Sequence, residues 1–197
     1  MGVMLSAAGS LRWLRDAIAP GVGYDELVAE AAAWPPGTEG LTFLPYLVGE
    51  RTPHADPDAR GAFVGLNVRH DRGALVRAVL EGVAFGLRDS LDLIVELGGT
   101  PARGRVSGGG ARSEEWLRVV ASVLELPLER VAVDEGGAFG AAILAGVAAG
   151  TWRDVHAAIA ETVQLAEQID PVPDWVDTYR DGRHRFRALY PALRDAR

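Results

Sequence analysis

The chain has 197 residues, 48% of them hydrophobic, with 24 glycines and 11 prolines, which suits one large globular domain or a compact domain with appendages. A formal net charge of −7 argues against general nucleic-acid or anionic-membrane binding, which needs a basic face. Cysteine is absent and all 20 basic residues are arginine, which excludes disulfides, thiolate chemistry, Schiff bases and a Walker-type phosphate lysine.

The apolar start MGVMLSAAGSLRW has no basic leader and is interrupted by Arg12, so it reads as part of a fold and not as an export signal. Apolar residues at Met4, Leu5, Leu11, Leu14 and Ile18 predict a helix over Met4–Ile18, stopped by Pro20, Gly21 and Gly23. A second helix is predicted over Tyr24–Ala33, with Asp25 and Glu26 favourably placed in its first turn. Leu41–Val48 reads as a strand with an edge or bulge at Pro45. The polar stretch Gly49–Phe63 is too long for a simple turn. Its Glu50, Arg51, His54, Asp56, Asp58 and Arg60 either line a site or, the plainer reading, form a solvated loop held by local ion pairs.

A strand over Ala62–Leu66 is followed by a long amphipathic helix, Leu75–Leu97, in which Arg77 and Glu81 are spaced to pair. Gly98 and Gly99 stop it. The stretch that organises the chain comes next, RVSGGGARSEEW, Arg105–Trp116: a short strand, three glycines, a polar start signal and a helix from Ser113 to Leu124. Three successive residues without Cβ let a ligand approach the main chain, and the helix offers unpaired N–H groups and the positive end of its dipole. The motif therefore reads either as a seat for phosphate or as a tight strand-to-helix connection.

Val131–Val133 reads as a strand. Glu135–Gly150, EGGAFGAAILAGVAAG, reads as a second glycine turn opening a helix whose Gly140, Ala141, Ala145 and Ala148 permit close packing. Helices over Trp152–Val163 and Trp175–Leu193, separated by the extended segment Asp170–Asp174, complete the chain. The alternation in the second half predicts an α/β layered domain with partly parallel strands. His54, His70, His156 and His184 have no second ligand at metal spacing, there is no nucleophile elbow, and no carboxylate pair is marked out for acid/base work.

LSAAGSLRWLRD, FLPYLVGERTPHADPDARGAFVGL, RAVLEGVAFGLRD, SGGGARSEEWLRVVASVLELPL and EGGAFGAAILAGVAAG occur in this order. Together they resemble the C-terminal domain of carbohydrate kinases of the FGGY family, its xylulokinase branch above all. The resemblance implies an actin-like ATPase, ribonuclease-H-like domain with a mixed sheet flanked by helices, spanning residues 1–197 as the nucleotide-side domain of a cytoplasmic sugar kinase. It implies ATP or ADP with Mg²⁺, and a sugar, D-xylulose by overall resemblance, held by an N-terminal domain. The catalytic aspartate is expected upstream, so no catalytic residue and no metal ligand is assigned in this chain. The resemblance places the nucleotide against Gly109, Gly110 and Ala111, with Glu114 near the adenosine, and its phosphates near Ala8 and Arg12. Glu114, Ala8 and Arg12 depart from the residue types that glycerol kinases carry there. The alternatives are a stand-alone nucleotide-binding or regulatory module and a non-catalytic kinase remnant. No membrane or nucleic-acid partner is expected, and apolar surface meant for a second lobe predicts self-association as a homodimer.

Overall fold

The computed structural model describes residues 1–132 and 136–194. In chain order the helices are α1 (Ala7–Ile18), α2 (Tyr24–Ala32), α3 (Arg72–Glu96), α4 (Glu114–Leu124), α5 (Gly136–Ala148), α6 (Val155–Thr162) and α7 (Pro173–Arg194). The strands are β1 (Thr42–Leu44), β2 (Ala62–Val64), β3 (Gly104–Val106), β4 (Leu128–Val131) and β5 (Leu165–Ile169).

α3 is the axis of the molecule. Asp71 caps it, its side chain accepting from the Ala74 N–H at 3.0 Å. Its residues are buried almost without break from Gly73 to Ser90, so it serves two cores at once. The first half of α3 packs with α1, α2 and β1 around Leu14, Leu27, Phe43 and Val79. The second half packs with α4, β4, β5 and α7 around Phe85, Val120, Leu128, Tyr179 and Phe186. Gly82 is where α3 and β1 touch: a Cβ there would sit 2.1 Å from the Phe43 carbonyl oxygen, so only glycine allows the approach.

β1 and β2 form an antiparallel pair in register Phe43 with Phe63. The second sheet has the order β3-β4-β5, with β3 parallel to β4 across the α4 crossover and β5 antiparallel to β4. The mixed sheet flanked by helices agrees with the sequence reading.

Several boundaries differ. β1 stops at Leu44 because Pro45 cannot donate to a ladder. β4 begins at Leu128, upstream of the expected strand, and Val133 and Glu135 lie outside the described residues. β5 was not foreseen in the sequence: all its residues but Ile169 are exposed, so it lacks the alternation that marks a half-buried strand. In α5 the small residues do not mediate close packing. Ala141 and Ala145 are exposed, no atom would meet a Cβ on Gly140, and the tightest approach is at a residue not expected to make one, Gly146 beneath the Trp152 ring. No described helix is long and apolar enough to cross a membrane.

Candidate functional site

The glycine stretch folds as a strand, a turn and a helix. β3 delivers the chain to Ser107, and Gly108 turns it at φ +90°, a conformation that costs little only for glycine. A short 3₁₀ turn over Gly109–Arg112 follows, closed by the Ala111 N–H donating to the Gly108 carbonyl at 2.9 Å. Ser113 then caps α4, accepting from the Trp116 N–H at 3.2 Å.

The expected site residues take different stations within this turn. A Cβ on Gly109 would meet nothing within 4 Å, so the main chain there is bare and open. On Gly110 it would lie 3.3 Å from the Trp116 indole nitrogen, so that glycine rests on a ring. Ala111 is buried, its N–H closing the turn onto Gly108. Glu114 is exposed and pairs with Arg118 at 2.5 Å one turn on, which offsets the repulsion its charge would exert on a phosphate.

Ala8 and Arg12 lie elsewhere, exposed on α1. Among the described residues no hydrogen bond or ion pair joins either to the glycine turn, and the Arg12 guanidinium has no partner of its own. The link between the two regions is packing: Leu14 of α1 belongs to the core around Leu27, Phe43 and Val79, against which Trp116 also packs.

Between the two glycine turns lies a cavity of about 150 Å³, lined by Val106, Ser107, Val131, Gly136, Phe139 and Thr162 among others. The start of α5 approaches the first turn closely, a Gly136 Cβ being 3.2 Å from the Ser107 hydroxyl oxygen. None of the six residues expected to contact the nucleotide lines this cavity; Ser107 of the first glycine stretch and Gly136 of the second do. Spacing within each motif pointed to both runs, but Thr162 reaches the cavity only because β5 folds back antiparallel on β4.

A buried ionic cluster fixes the amino end of α4. Arg77, fully buried, donates from Nε to Glu81 at 2.8 Å and from Nη1 to Glu115 at 2.6 Å. Its Nη2 donates to the Tyr179 hydroxyl at 2.6 Å, and the guanidinium lies 4.7 Å from the centre of the Trp175 ring. Glu81 also accepts from the Gly37 N–H and the Thr38 hydroxyl, both at 3.0 Å. Burial pushes the Glu81 carboxyl above its usual range, with Arg77 opposing the rise. The expected Arg77–Glu81 pair is therefore present, and Glu115 and Tyr179 extend it.

The open main chain at Gly109 and the capped start of α4 offer N–H groups of the kind that hold an anion, whereas Arg12 stands apart on α1. Among the described residues no three His, Asp or Glu side chains converge.

The comparisons with known proteins agree with one another. The model of the FGGY family of carbohydrate kinases, C-terminal domain, matches residues 1–149. A xylulose kinase of Escherichia coli K12 is 40% identical over 197 residues, 98% of this chain and 40% of that protein. A xylulose kinase of Staphylococcus epidermidis is 34% identical over 190 residues, 96% of this chain and 38% of that protein. The crystal structure of xylulose kinase from Rhodospirillum rubrum superposes with a TM-score of 0.86 at 36% identity, covering 98% of this chain and 39% of that one. The chain thus spans about two fifths of the length of the relatives it matches.

Proposed function

The chain belongs to the FGGY family of carbohydrate kinases, and we propose that it is the nucleotide-side lobe of an ATP-dependent sugar kinase. The observation that carries this reading is the open main chain at Gly109, which leads through a buried Ala111 into a capped α4 and follows Ser107, a lining residue of the cavity shared with Gly136. The matches to xylulose kinases support D-xylulose as the sugar, phosphorylated to D-xylulose 5-phosphate.

In this reading the turn and the start of α4 seat the adenine nucleotide, their N–H groups and dipole facing its phosphates. Arg12 neutralises phosphate charge from α1. The general base and the sugar contacts belong to a second lobe, whose closure excludes water as a competing acceptor. This lobe's contribution is positioning and electrostatics, which dominate phosphoryl transfer. Mg²⁺ bound with the nucleotide would offset phosphate charge, but this chain offers it no donor set among the described residues.

Calorimetric titration of the chain with ADP tests the proposal. Saturable binding that is lost with Gly109→Val supports it. No binding, or binding indifferent to Gly109→Val, overturns it in favour of a structural domain with a vacant turn.

A further inference from the structure

The loop from Gly49 to Phe63 holds no part of the cavity between the glycine turns. Its own hydrogen bonds show what it grips. Glu50 is 2% exposed, and its Oε1 accepts from the N–H groups of Leu5 at 3.2 Å, Arg51 at 2.6 Å and Thr52 at 3.4 Å. Thr52 continues the contact: its Oγ1 accepts from the Val3 N–H at 3.0 Å, and its N–H donates to the Val3 carbonyl at 3.1 Å. The loop is braced behind this by reciprocal main-chain bonds between Glu50 and Asp56, both 2.8 Å. Residues 3–5 are thus held to the loop by three hydrogen bonds immediately before α1.

α1 needs an external hold. Its N-cap residue, Ser6, makes no side-chain bond to the first turn, and its first turn carries no acidic residue. The Glu50 carboxylate takes up the Leu5 N–H, two residues upstream of the helix. The second carboxylate oxygen, Oε2, is buried without a partner among the described residues. Burying a carboxylate with half its acceptor capacity unused is costly. What Glu50 supplies to residues 3–5 is the acceptor Oε1, which a glutamine side chain would also carry.

We propose that Glu50 is a positioning residue for nucleotide binding: it sets the entry of α1 and, through it, the station of Arg12. This rests on the reading of the chain as a nucleotide-binding lobe. It assigns the long polar loop a purpose that local ion pairing would not give it, because the bonds that matter leave the loop and end on the segment leading into α1.

The test compares the unaltered chain with Glu50→Gln, Glu50→Ala and Thr52→Val, by amide hydrogen exchange and by ADP titration. Glu50→Ala should lose protection over residues 5–12 and bind ADP about 5- to 10-fold more weakly, the equivalent of about one ordinary hydrogen bond. Glu50→Gln should keep both within about two-fold, because it keeps the acceptor. In an Arg12→Ala background, Glu50→Ala should weaken ADP binding no further, since the two act along one route. Thr52→Val, which removes a neighbouring bond and no charge, should loosen the same residues to a lesser degree and keeps the test decisive if Glu50→Ala does not fold. Unchanged exchange over residues 5–12 in both Glu50→Ala and Thr52→Val overturns the clamp itself. Equal ADP losses with and without Arg12 overturn the route through α1. Failure of the unaltered chain to bind ADP overturns instead the nucleotide reading on which the proposal rests.

Discussion

Arg77 reaches Glu115 across 2.6 Å, tying the second turn of the central helix to the first turn of the helix that follows the glycine stretch. The pair ties the stability of the core to the geometry of the turn. Arg77 is buried against two carboxylates, Glu81 and Glu115. Burial works against its charge, yet Tyr179 and Glu81 hold the guanidinium above its ordinary range, so it stays ionised. Arg77→Met leaves the carboxylates without their cation and should cost about 3–5 kcal/mol of unfolding free energy. Urea unfolding measures this, and a loss below about 1 kcal/mol, the range of a surface pair, would contradict it.

The adjacent glycines should separate cleanly by mutation. Gly108 is at φ +90°, so Gly108→Val strains the main chain and should destabilise the fold by about 1–3 kcal/mol. Gly109→Val meets no neighbour in the free chain, so its melting temperature should stay near that of the unaltered chain while ADP affinity falls at least about ten-fold, the loss of roughly 1.4 kcal/mol of binding. Gly110→Val should show both effects, because its side chain would press on Trp116. Thermal unfolding and calorimetry on the three variants distinguish these outcomes.

Arg12 is exposed on α1 and makes no ion pair among the described residues, so Arg12→Ala should leave stability within about 0.5 kcal/mol. Its loss should weaken ADP binding and flatten the salt dependence of that binding, since one phosphate-neutralising charge is gone. Titrations at two ionic strengths read this out, and an unaltered salt dependence would place Arg12 away from the phosphates.

Acid should weaken the contact of α4 with α3 and α7. Glu125 ends α4, and hydrogen bonds from Arg180, then from Arg88, hold its carboxyl below the usual carboxylate range. A carboxyl lowered in the folded state contributes stability above its unfolded value and loses it as pH falls through the folded one. Glu125→Gln should therefore be less stable than the unaltered chain at neutral pH, with the gap closing as pH falls below the ordinary glutamate range. Unfolding curves across that window, on both proteins, give the sign directly; a gap that is constant with pH would show that the ion pairs contribute no proton linkage.

Much of this architecture is visible in the amino-acid order. The long helix, the glycine turn and the Ser113 start signal lie where periodicity and capping place them, because each is a local property. What could not be read is set by contacts distant in sequence. β5 exists through its pairing with β4, and Thr162 and Gln164 reach the cavity only as a consequence. Glu115 and Glu114 are neighbours of one type in one helical turn, yet one is drawn to Arg77 of another helix while the other pairs with Arg118 in its own. The polar loop shows a third case. Its composition announces solvated charge, whereas Glu50 is buried because the chain start folds over it.

The central claim is that adenine nucleotide is seated on the main chain of the glycine turn. The most direct measurement is the crystal structure of this chain soaked with ADP. The account predicts phosphate density against Gly109 and the amino end of α4, beside the cavity bounded by Ser107 and Gly136. Nucleotide bound at any other place, with the turn bare, would contradict it.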